Sequence, residues 1–115
     1  MEKLNKEVGR RLREIRDIFH GGVKLTADQF AFMLDETGDR IRNYETGRAA
    51  IQIRTLAKLY SYGINPTYVI TGEGEIFANN RAGKERKGKI KQNYEKGKLA
   101  DGNRIIMAAA GRLDD

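Results

Sequence analysis

Leu25-Thr26-Ala27-Asp28-Gln29-Phe30-Ala31-Phe32-Met33-Leu34-Asp35-Glu36-Thr37-Gly38-Asp39-Arg40-Ile41-Arg42-Asn43-Tyr44-Glu45-Thr46-Gly47 divides into two short helical segments, each opened by a capping residue and separated by a tight turn. Thr26 is placed to cap the first set of free amides, and Gln29 is three residues on, so it can reach back to complete a capping box. The inward face of this segment is Phe30, Ala31 and Leu34. Thr37 follows Leu34 closely and caps the second segment, in which Ile41 and Tyr44 share one face while Arg40, Arg42 and Asn43 project elsewhere. Gly47 stops it. So short a linker prevents the helices from lying antiparallel, so they cross steeply, with small Ala31 at the close approach and the polar side of the second helix exposed.

Upstream, residues 4–19 form an amphipathic helix, with Leu4, Val8, Leu12, Ile15 and Phe19 at spacings of three or four. Gly21-Gly22 ends it, and the stretch 17–24 reads as an extended helix or a small loop. Downstream, Ile53, Leu56, Ala57, Leu59 and Tyr60 support a fourth helix that ends near Gly63. Asn65-Pro66 opens a fifth, Asn as cap and Pro in the first helical position. Its apolar residues Tyr68, Val69 and Ile70 lead into Thr71-Gly72-Glu73-Gly74, and Ile76 and Phe77 fold back against the core.

Over residues 7–77 the chain resembles the lambda-repressor-like family of Cro- and repressor-type helix-turn-helix regulators. The resemblance rests on Leu25-Thr26, Phe30-Ala31, Leu34, Ile41, Asn43-Tyr44-Glu45 with Gly47, Gly63-Ile64-Asn65-Pro66 and Thr71-Gly72-Glu73-Gly74. It implies an all-α fold: a compact five-helix DNA-binding domain over residues 1–78, with the motif at 26–46. It also implies an ion pair between Arg16 and Glu45, the alternative being two solvated charges, and a homodimer contact through Tyr68, Val69 and Ile70, the alternative being plain core packing. The chain departs from the family at Asp35, where Gly is usual, at Glu36, where an apolar residue is usual, and at Ala27, where a phosphate-binding Gln is frequent. Asp tolerates a left-handed backbone better than most residues, so the turn is expected to survive.

The mechanism implied is sequence-specific binding of double-stranded DNA by a homodimer, one recognition helix (37–46) in each of two successive major grooves of a pseudo-palindromic operator. Thr37 and the amides at its helix N-terminus meet a phosphate, Thr26 joins the contact set at the start of the preceding helix, and Arg48 clamps a phosphate just past the recognition helix. Asp39, Arg40, Arg42 and Asn43 are the base readers: Arg suits guanine, Asn adenine, and Asp accepts from cytosine. Gly38 offers only backbone and close approach. For each Arg taken alone, phosphate contact or solvation is an equal alternative.

Composition agrees with a small regulator. The 115 residues carry a formal charge of +6, with no Cys and a single His20, so neither a disulfide framework nor a thiolate or histidine zinc site is expected. No cofactor is expected either, and a compact helical head offers no second domain for a small-molecule inducer. No apolar run reaches the ~20 residues that span a bilayer, and the N-terminus lacks a signal-peptide core. A cytoplasmic, nucleoid-associated protein without membrane contact is the simplest reading. Catalysis finds no support, since there is no phosphate loop, paired-carboxylate site or nucleophile with a histidine base.

The positive charge is concentrated late. Residues 1–78 hold 12 Lys or Arg against 11 Asp or Glu, whereas 79–115 hold 10 against 5. Residues 79–98 read as a flexible basic linker, either an arm that tracks the DNA backbone or a solvated tail. Residues 104–110 form a short apolar patch, helix or strand, able to dock on a protein partner. Two rival functions share the fold: an antitoxin-like protein-binding module whose tail wraps its partner, and the DNA-binding fragment of an autoproteolytic repressor cut at Ala82-Gly83 or Ala110-Gly111.

Overall fold

The helices follow from caps and apolar spacing. In the computed structural model, which describes residues 1–99 and 103–111, the chain is all-α, with seven helices and no strands among the described residues. α1 (Glu2–Ile18) buries Val8, Leu12, Ile15 and Ile18 along one stripe. Leu4, expected on that stripe, is 40% exposed, because the first turn of α1 runs past the end of the core. Arg11, on the buried side, donates from Nε to the Val69 carbonyl (2.8 Å) and from Nη2 to that of Ile70 (2.8 Å). The guanidinium thereby satisfies carbonyls at the C-terminal end of a later helix. Between α1 and the next helix the chain makes a small loop closed by mutual backbone hydrogen bonds of His20 and Val23.

α2 (Ala27–Met33) and α3 (Gly38–Glu45) carry the expected caps. Thr26 Oγ1 accepts from the Gln29 amide (3.1 Å), the Gln29 side chain accepts from the Thr26 amide (2.9 Å), and Thr37 Oγ1 accepts from the Arg40 amide (3.1 Å). Phe30, Ala31, Leu34, Ile41 and Tyr44 are all buried. Asp35 adopts φ +56°, the left-handed conformation the turn requires.

α4 (Ile53–Ser61) has a different inward face from the one expected. Leu59 is buried and Leu56 half-buried as expected, but Ile53 is 83% and Tyr60 48% exposed, Ala57 is also exposed, and Thr55 is buried in their place. The helix rotates this way because Thr55 Oγ1 donates to Glu36 Oε1 (2.7 Å), tying α4 to the α2–α3 turn. α5 (Pro66–Thr71) starts on the Asn65 cap and ends at left-handed Gly72 (φ +76°). The segment after it folds back as expected: Asn65 N donates to Ile76 O (2.9 Å) and Ala78 N to Gly63 O (2.8 Å), and Ile76 and Phe77 are buried.

The expectation of a flexible linker at 79–98 is overturned over most of its length by α6 (Arg81–Glu95). Its start is the Asn80 side chain, which accepts from the Gly83 amide (2.8 Å) and donates to the Tyr60 carbonyl (2.9 Å). Ile90 is 1% exposed in the core. Where α6 meets the α4–α5 turn the two backbones touch, since a Cβ on Gly63 would overlap the Gly83 amide. Arg86 makes a further anchor. Its guanidinium lies 3.9 Å from the Phe19 ring centroid and donates to the carbonyls of Phe19 (2.6 Å) and Tyr62 (2.5 Å). These two residues end α1 and α4, so the cation sits at the negative ends of two helices. Burial pushes the Arg86 pKa down from the usual arginine range.

α7 (Arg104–Ala109), the apolar patch at 104–110, is a helix capped by Asn103 that packs on α6 and adds Ile106 and Ala109 to the core. An open cleft of about 820 Å³ lies between α7 and the head, walled in part by Arg10, Glu14, Tyr68 and Arg104. The Ala82-Gly83 bond falls in the first turn of α6 with Gly83 buried, which removes it as an accessible cleavage site. Ala110-Gly111 directly follows α7. No helix among the described residues is long and apolar enough to cross a membrane.

Candidate nucleic-acid interface

α3 is fixed to the core from one side and open on the other. Ile41 and Tyr44, 0% and 2% exposed, anchor it against α1 and α2. At its C-terminal end Glu45 takes a two-pronged hydrogen bond from Arg16, Nε to Oε2 at 2.7 Å and Nη2 to Oε1 at 2.9 Å, while Arg16 Nη1 donates to the Leu25 carbonyl (2.8 Å). Both side chains are under 10% exposed. The pair expected from the resemblance is therefore present and buried. The Glu45 carboxylate raises the Arg16 pKa against the opposing effect of burial. One planar group thus joins α1, the start of α2 and the end of α3.

The outer side of α3 carries Asp39, Arg40, Arg42 and Asn43, and none of them is fully buried. The two arginines are already engaged. Arg40 Nε lies 3.2 Å from Glu36 Oε2, and Arg42 is bracketed by Asp28 Oδ1 (3.3 Å from Nη1) and Asp39 Oδ1 (2.8 Å from Nη2). The hydrogen bond to Asp39 is the largest cause of the upward shift of the Arg42 pKa, with Asp28 adding to it. Thr26 and Thr37 are exposed at their helix starts with their oxygens used as caps, and Gly38 forms the first residue of α3. Arg48 is exposed just past α3 and forms no ion pair among the described residues.

Sequence reasoning missed two residues here. Glu36 stands where an apolar residue was expected, yet its side chain is only 2% exposed and accepts from Thr55, with Arg40 and Arg54 3.2 and 3.3 Å away. A buried carboxylate with three donors replaces an apolar contact and ties three elements together. Asp28 is the other, placed by α2 beside the first turn of α3. The signal for both was the acid-rich spacing Asp28, Asp35, Glu36, Asp39 opposite Arg40, Arg42, Arg54 and Lys58. These side chains pair with one another, Lys58 with Asp35 at 3.0 Å, so the face is close to neutral.

The residues expected to form a dimer contact are dispersed. Val69 is 0% exposed in the core and cannot reach a partner, so for it the alternative of plain core packing holds. Tyr68 is half-buried, and its hydroxyl donates to Glu14. Ile70 alone of the three is exposed, at 38%. The cations of α6 stand on a docked helix, with Lys84, Lys89, Lys91, Lys96 and Lys98 exposed on or just past it.

Comparisons with protein-family models, with curated proteins and with solved structures each found no match to this chain.

Proposed function

We propose that the chain is a sequence-specific, double-stranded-DNA-binding regulator that presents α3 to the major groove, acting as a homodimer on a two-part site. The observation that carries the reading is the two-sided character of α3. Its inner side is locked by Ile41, Tyr44 and the buried Arg16–Glu45 pair, and its outer side offers Asp39, Arg40, Arg42 and Asn43 to a ligand. Rigid support of this kind is what base reading needs, because hydrogen bonds to base edges discriminate only when the side chains arrive in register. Arg48, just past α3, supplies a phosphate contact that helps to set that register. Cations on the α6 surface add an attraction to phosphate that is independent of sequence.

A second reading draws on the exposed Phe32 (74%) and Ile53 (83%), which suit a protein partner in the manner of an antitoxin. A salt-dependent titration against mixed-sequence duplex separates the two. The DNA reading expects binding that weakens steeply with salt and whose slope shrinks by about one for each phosphate-contacting cation removed, Arg48→Ala first. Absence of binding at low salt, with the helical signal intact, contradicts it.

A further inference from the structure

Gly38 is the first residue of α3, and what it leaves open is filled by a neighbour. A Cβ at this position would overlap Asp28 Oδ1 and come within 3.0 Å of Arg42 Nη2. Only glycine therefore lets the α2 carboxylate lie over the first turn of α3. From there Asp28 holds Nη1 of Arg42 while Asp39 holds Nη2, so the guanidinium is gripped at both ends. The three ionised groups sum to one negative charge.

Resting on the DNA reading above, we propose that Asp28 and Gly38 are positioning residues for Arg42, and that the Asp28–Arg42–Asp39 cluster makes α3 select a G·C pair while turning away backbone phosphate. Several points lead there. A cluster with net negative charge is a poor phosphate clamp, since bringing it near the backbone sets carboxylate against phosphate. Two of the five guanidinium N–H groups are spent on the carboxylates, and three remain for an acceptor pair such as guanine O6 and N7. The carboxylate oxygens not used by Arg42 accept from a donor, and the cytosine amino group is the donor a G·C pair offers in the major groove. Asp28 also stands at the positive end of α3, where it takes the place of the phosphate that a helix start otherwise attracts.

The test is selection from a random duplex pool followed by sequencing, with wild type, Asp28→Asn, Asp28→Glu and Gly38→Ala, each checked for unchanged helical content. The wild type is expected to enrich a motif with a G·C pair preferred in each half-site. Asp28→Asn and Gly38→Ala relax the preference at that pair about tenfold, the size of one good base contact, and leave the rest of the motif in place. Asp28→Asn binds mixed-sequence duplex at low salt more tightly than wild type because a negative charge is gone, and Asp28→Glu restores part of the preference. A wild-type motif that Asp28→Asn and Gly38→Ala leave unchanged overturns this proposal while the DNA reading stands. A wild type that enriches no motif overturns both.

Discussion

Arg86 stacks on the ring of Phe19 and donates to the same residue's carbonyl oxygen. One side chain of the basic segment is thereby held by the residue that ends α1, 67 positions earlier in the chain. A cation half out of water with no carboxylate partner among the described residues is held by carbonyls and aromatic faces that replace its hydration, and Phe19 and Tyr62 provide both. Arg86→Ala should lower the unfolding free energy by about 3 kcal/mol in a urea titration, from the lost charged hydrogen bonds and the ring contact. Arg86→Lys should recover little, because an ammonium cannot stack flat or donate to two carbonyls in the plane of a fork.

The docking of α6 has a second consequence. If 81–95 is a helix seated through Ile90, Arg86 and Asn80, its amides past the first turn should exchange with solvent at rates comparable to those of α1. Arg86→Ala should accelerate exchange in α6 more than in α3. Rapid exchange throughout 84–95 in the wild type contradicts the docked helix.

Arg16 and Glu45 offer a test of the frame behind α3. Removing one member leaves the other charged and almost dry, so Arg16→Ala or Glu45→Ala should each cost about 3 to 5 kcal/mol of stability. Replacing both with apolar residues should cost less than either single change, and a double-mutant cycle measures the difference. The folded Arg16 pKa is raised, so its contribution is fully present below the unfolded arginine value and is lost only as pH climbs through the folded one. The pair should therefore be insensitive to alkali across the neutral and mildly basic range.

Tyr68 provides a pH signature. Burial, reinforced by the hydrogen bond to Glu14, pushes its phenol up to about 12 from 10.0. The folded state thus holds this proton more tightly than the unfolded one, so the stability it contributes is complete below pH 10 and disappears as pH rises towards about 12. A spectrophotometric tyrosine titration should show a late-ionising phenol that is lost in Tyr68→Phe. The same substitution flattens the loss of stability over that interval.

The head was readable because its signals are local. Thr26 with Gln29, Thr37, Gly47 and Asn65-Pro66 each fix a helix end by chemistry within a few residues, and Phe30, Ala31, Leu34, Ile41 and Tyr44 follow helical spacing. The Asp35 turn was readable too, because a single backbone conformation decides it. α6 was not, although Gly83, Arg86, Ile90 and Tyr94 lie at helical spacing. Two of those four are a glycine and an arginine, which count as apolar contacts only when a facing backbone and an aromatic pair are known. In the same way, Glu36 and Thr55 stay hidden because a buried carboxylate is acceptable only beside donors that arrive from another helix. Asp28 escaped because its effect on Arg42 depends on Gly38 having no side chain.

Base reading by the outer side of α3 is tested by selection from a random duplex pool with wild type beside Arg40→Ala and Arg42→Ala, each verified to be folded. The expected result is an enriched motif made of two inverted halves about one helical turn apart, relaxed at separate positions in the two arginine variants. No enrichment by the wild type, or the same motif from all three proteins, contradicts it and moves the binding surface away from α3.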